Sequence, residues 1–192
     1  MPILGIIASA ISGNLFAPSG AYDSIATTTL SSTTATITFS SIPATYKHLQ
    51  LRCFAKNNTV GAGDTAYQIA FNSDTTYTNY RTHYLQGEGS TVYAGDAQVA
   101  GLYAVIGVAP RAGSTSIFGA GVTDILDYAN TNKNTTTRSL DGDDFNGSGS
   151  INFRSALWIN TAAVNQIDIT LYGGASFTQY SSFALYGIRG GN

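Results

Sequence analysis

The stretch Ile151-Asn152-Phe153-Arg154-Ser155-Ala156-Leu157-Trp158-Ile159 alternates without a break. Ile151, Phe153, Ser155, Leu157 and Ile159 fall on one side, and Asn152, Arg154, Ala156 and Trp158 on the other. Such a period of two is that of a β-strand with one face toward a core. The more apolar side is expected to point inward. The same period recurs upstream. Ala35, Ile37 and Phe39 share a side, as do Leu49, Leu51, Cys53 and Ala55, and then Tyr67, Ile69 and Phe71. These alternations predict a shared core built from Ile37, Phe39, Leu49, Leu51, Phe153, Leu157 and Ile159.

Working outward, further strands are expected over 22–30, 99–108, 117–128, 134–140, 167–172 and 182–189. Residues 72–89 are less regular, with turn chemistry at Asn72-Ser73-Asp74, one helical turn over 75–80, and then His83-Tyr84-Leu85. Residues 141–150 read as a polar loop. About ten short strands joined by Gly, Ser and Asn turns indicate an all-β protein, an antiparallel β-sandwich or jelly roll. Nothing has the strand and long-helix order of a parallel sheet.

Composition agrees. Charged residues are only 10% of the 192, against about 25% in ordinary domains. Glu88 is the sole Glu, and Lys47, Lys56 and Lys133 are the only lysines. That set is poor for helix surfaces and suits pleated ones. The net charge of −2 and the scattered basic residues argue against a nucleic-acid partner. With Cys53 alone, no disulfide forms within the chain.

Residues 1–18, MPILGIIASAISGNLFAP, carry no charge. A signal peptide needs a basic start, and a membrane span needs ~20 predominantly apolar residues. Gly5, Ser9, Ser12, Gly13 and Asn14 interrupt this segment, so no membrane span is expected. Ile3, Ile6, Ile7, Ala10, Ile11 and Leu15 recur at spacings of three and four, which suits a helix. The expected organisation is a docking arm over 1–18, with Ile3, Leu4, Ile6, Ile7, Ile11, Leu15 and Phe16 as its contacts, and a single β-sandwich domain over 19–192. The alternative is that the segment packs under its own domain.

Candidate chemistry is sparse. Asp141-Gly142-Asp143-Asp144 begins like a calcium loop, but positions five, six and twelve are Phe145, Asn146 and Asn152, which break the pattern. Asp141, Asp143 and Asp144 remain the weak candidates for a cation. Asp124 with Asp127 or Asp168 is the available carboxylate pair for glycan cleavage. His48 and His83 lack metal-ligand spacing, and no nucleophile elbow or phosphate loop occurs. No cofactor is expected, and the chain reads as non-enzymatic. Tyr77, Tyr80, Tyr84, Tyr93 and Trp158 are the expected ligand or partner contacts, since aromatic faces stack on sugars and anchor interfaces.

Several segments also carry a resemblance: MPILGIIASAISGNL, YDSIATTT at 22–29, ITFSSIPATYKHLQLR at 37–52, DILDYANTNKN at 124–134, RSLDGDDFNGSGS at 138–150 and QYSSFALYGIRG at 179–190. The chain resembles small structural proteins of tailed bacteriophages over nearly its whole length. The resemblance implies a virion location, other virion proteins as partners, and a homo-oligomer, with a trimer favoured. Within the virion, the short and compact arm favours a tail or baseplate appendage, fibre-like, that docks by its arm and meets host-surface carbohydrate. The alternatives are a capsid decoration protein that stabilises the head and an enzyme that cuts host glycan.

Overall fold

The computed structural model describes residues 21–190 except 62, 114, 115 and 146. The docking-arm contacts Ile3, Leu4, Ile6, Ile7, Ile11, Leu15 and Phe16 lie outside the described residues. Among the described residues twelve strands form: β1 (Tyr22–Thr29), β2 (Thr36–Phe39), β3 (His48–Ala55), β4 (Asp64–Phe71), β5 (Tyr80–Glu88), β6 (Thr91–Ala97), β7 (Ala104–Pro110), β8 (Gly119–Leu126), β9 (Thr135–Asp144), β10 (Gly149–Trp158), β11 (Ile167–Leu171) and β12 (Ser182–Ile188). Among the described residues no helix is long and apolar enough to cross a membrane.

The strands make two antiparallel sheets, ordered β1-β12-β3-β8-β9-β10-β5-β6 and β2-β11-β4-β7. Setting aside two hairpins, β5-β6 and β9-β10, the chain changes sheet at every step but one, from β4 to β7, which pair within the smaller sheet. The orders β1-β12-β3-β8 and β2-β11-β4-β7 are then the two four-stranded halves of a jelly roll. Both hairpins join the larger sheet beyond β8 and double its width.

The core lies between the sheets. Ile37, Phe39, Leu49 and Leu51 are buried as expected, with Ile69, Phe71, Ile167, Ile169, Phe183 and Leu185 around them. The ring of Tyr67 passes between Gly107 on β7 and Gly121 on β8, and a Cβ at either glycine would overlap it.

Two expectations need correction. Phe153 and Ile159 are not core residues: they are 52% and 43% exposed, and Leu157 is only half-buried. The alternation of β10 is real, but its faces are reversed. Trp158 and Ala156 are the residues that enter the core, at 1% and 2% exposure. Trp158 packs on Phe71 with ring centroids 5.5 Å apart, and its indole N–H donates to Asp74 Oδ2 at 2.8 Å. Because side chains alternate strictly, anchoring Trp158 inside carries Arg154 and Asn152 inward and turns Ile151 and Phe153 outward. The second correction concerns 141–150, which is no loop. Ten consecutive pairs join β9 to β10, from Gly149 with Asp144 to Trp158 with Thr135, leaving only 145–148 as the hairpin tip.

Candidate interaction surface

Reversal of β10 leaves an apolar outer face on the widened sheet. In one cross-strand row Phe54, Ala120, Gly142, Ile151, Gly87 and Val92 stand opposite one another on β3, β8, β9, β10, β5 and β6. The adjacent row holds Val122, Leu140, Phe153, Leu85 and Ala94, and meets Arg52 on β3. Arg52, at the β3 end of the second row, is the one charged side chain in the two rows. Phe54, Leu85, Val92, Leu140, Ile151 and Phe153 are all exposed, Ile151 by 63% and Val92 by 70%. Six large apolar side chains in one band exceed the single scattered residues normal on a protein surface and make it the candidate interaction surface.

The band has relief. Phe118 stacks on Phe54, with centroids 4.9 Å apart and rings 12° from parallel. Gly142 and Ala120 form a low floor between these rings and Leu140 and Ile151, giving a groove of about 680 Å³. Polar groups bound the band on the next row, where Gln50 donates to Asp124 at 2.9 Å and Arg52 to Gln50 at 2.9 Å. The Arg52 guanidinium also lies over the rings of Tyr186 and Tyr22, at 5.0 and 5.8 Å.

Beneath the band, on the inner side, sits the polar cluster that reversal buries. Arg154 Nε donates to Asp141 Oδ2 at 2.7 Å, and Asn152 Nδ2 donates to Asp141 Oδ1 at 3.0 Å. Burial raises the Asp141 pKa, opposed by the Arg154 charge. Nearby, burial and then the Asp64 carboxylate push Asp143 up to about 6. Backbone N–H of Ser150 donates to Asp143 Oδ1 at 3.1 Å. Both Asp141 oxygens are therefore taken by its own neighbours, Asp143 shares its site with another carboxylate, and Asp144 turns outward at the end of β9. Among the described residues no three His, Cys, Asp or Glu side chains are grouped to hold a metal.

The remaining sequence candidates are dispersed. Tyr80, expected as a contact, is 1% exposed, and its hydroxyl accepts from Phe71 N and donates to Asp74 O, each at 3.0 Å. Trp158, also expected as a contact, is in the core as described. Tyr93 is exposed and Tyr84 half-buried, on one face of the β5-β6 hairpin, while Tyr77 lies in a 3-10 turn, Tyr77–Asn79, before β5. Asp124 and Asp168 project from the outer faces of different sheets. Asp168 is held by Thr38, Ser73 and Gln166, and Asp127 by Lys47 and Lys133. None of these carboxylates faces another across a cleft. His48 accepts from Asp127 N at 2.9 Å through Nδ1.

Sequence reasoning missed Leu85, Val92 and Leu140 altogether and placed Phe153 in the core. The available signal was the polar side of β10: Asn152 and Arg154 next to Trp158 make that side mixed, so polarity alone does not rank the two faces. No family model matches the chain, and no curated protein or solved structure matches it.

Proposed function

We propose that this protein is a non-enzymatic structural component of a tailed-phage virion, a homo-oligomeric appendage of the tail or baseplate that assembles through the outer face of its larger sheet. The observation that carries this reading is the apolar band from Phe54 to Val92. An exposed surface of this kind is unfavourable in water and becomes favourable once another protein covers it. Resemblance to phage structural proteins over most of the chain supports the virion location. The jelly roll is a weaker support, because viral shells and lectins use it but fold alone does not name a function. Tyr84 and Tyr93 on the β5-β6 hairpin are the surface aromatics we assign to host glycan.

Gold-labelled antibody on intact particles tests the reading. Labelled tails are the expected result. Labelled heads would replace the appendage with a capsid decoration protein, and absence from purified particles would overturn both.

A further inference from the structure

The band across β3, β8, β9, β10, β5 and β6 needs an occupant, and residues 1–18 need a surface. The geometry points to residues 1–18 of one copy lying along the apolar band of a neighbouring copy, an exchange of arms that holds the oligomer together. This inference rests on the assembly reading above and names the contact within it.

Three observations support it. The first is chemical match. The arm is uncharged from Met1 to Pro18 and supplies Ile3, Ile6, Ile7, Ile11 and Leu15, while the band offers an apolar groove floored by Gly142 and Ala120, with Arg52 and Asp144 at its rim. Branched side chains from the arm would fill the gap between the Phe54–Phe118 stack and Ile151.

The second is length. Six strands at the usual spacing of about 4.8 Å make a band about 24 Å long. Eighteen residues wound as a helix span about 27 Å. Residues 1–18 are therefore enough to cover the band from end to end.

The third is where the chain starts into the sheet. Tyr22 pairs with Ile188, which pairs with His48, whereas Thr29 pairs with Ser182, which pairs with Phe54. The chain therefore enters β1 at the His48 end and runs toward the Phe54 end, where the band lies. The chain before Tyr22 therefore joins the sheet at the far end, about 13 Å along the strands from the nearer row of the band and about 20 Å from the farther. To reach its own band the arm must double back over the outer face. A neighbouring copy receives it without that reversal.

The test uses the full chain with Phe153 replaced by the photo-crosslinking residue p-benzoylphenylalanine. Phe153 faces solvent, so the change leaves the core alone. Isotope-labelled and unlabelled chains are mixed, irradiated and digested. Expected is a crosslink from position 153 to a peptide within 1–18, with mixed-isotope pairs present, and near-complete loss of that crosslink and of the oligomer on Ile7→Asp with Ile11→Asp. Crosslinks into the strands of a second copy would overturn the inference, as would crosslinks confined to the same chain or none at all. If the arm substitutions leave the oligomer intact while Phe153→Asp dissolves it, the face is an assembly surface but the arm is not its occupant. If neither change affects the oligomer, the assembly reading fails as well.

Discussion

Strands β3 and β10 both alternate residue by residue, with opposite polarity. On β3, Leu49, Leu51, Cys53 and Ala55 face the smaller sheet and His48, Gln50 and Arg52 face outward. On β10, Asn152, Arg154, Ala156 and Trp158 face inward and Ile151, Phe153 and Leu157 outward. β3 belongs to the jelly roll proper, and β10 to a hairpin added beyond it. The original half is stabilised by burying hydrocarbon. In the added half an ion pair, an amide and one large indole fill the interior, and hydrocarbon is left outside. Such an arrangement suits the assembly proposed above, in which a partner covers that outer apolar surface.

The sharpest way to break the contrast is to remove half of the buried pair. Arg154→Ala leaves Asp141 without its cation in a site where its side chain is fully buried. Losing one partner of such a pair costs about 3–5 kcal/mol, so a denaturant titration should show a much weaker domain. Replacing both members by apolar residues of like volume should recover most of the loss.

Next is a matched pair of truncations, one on each half. Leu51→Ala in the conventional core should cost about 2–5 kcal/mol. Phe153→Ala on the outer face should change the stability of the isolated domain by about 0.5 kcal/mol or less, as surface substitutions do. A loss at Phe153 as large as that at Leu51, measured where the protein is monomeric, would show that the outer face is core after all.

The smallest effect is in pH. The Asp143 pKa is raised to about 6 in the folded protein, above the ordinary 3.8. A carboxyl raised in this way favours the folded state when protonated. Its contribution is complete below about pH 4 and is lost as pH rises through about 6. Asp127 is held down at about 2 by Lys133 and Lys47, so its contribution disappears only as pH falls below 3.8. Melting temperature should therefore decline modestly between pH 5 and pH 7, and Asp143→Asn should flatten that decline.

Much of the framework was legible in the sequence, because strands such as β3 and β12 declare themselves through local alternation. Less legible was the identity of the inner face. Alternation says that a strand has two faces, and choosing between them depends on partners far away: Trp158 goes inward because Asp74 and Phe71 receive it. The β9-β10 hairpin was hidden for a related reason. Asp141-Gly142-Asp143-Asp144 has the composition of a turn, and only Arg154, Asn152 and Ser150 across the hairpin make a strand of it. Strand β6 was lost in a stretch whose residues are mostly exposed on both faces, so no period marked it.

Pairing of β1 with β12 has a kinetic consequence. Asp23 and Arg189, joined by an ion pair, are 166 residues apart in the chain, and β12 sits between β1 and β3 as the strand that both require. Folding dominated by such distant pairings is slow, because loop closure precedes any return from contacts. On the ribosome the sheet is incomplete until residues 182–188 have emerged, long after 1–18 have been made. The apolar residues 1–18 thus pass through translation before their own chain has a finished sheet, a condition under which nascent chains aggregate. Synthesis of this protein should accordingly depend on chaperones or on slow translation more than that of a helical protein of equal size.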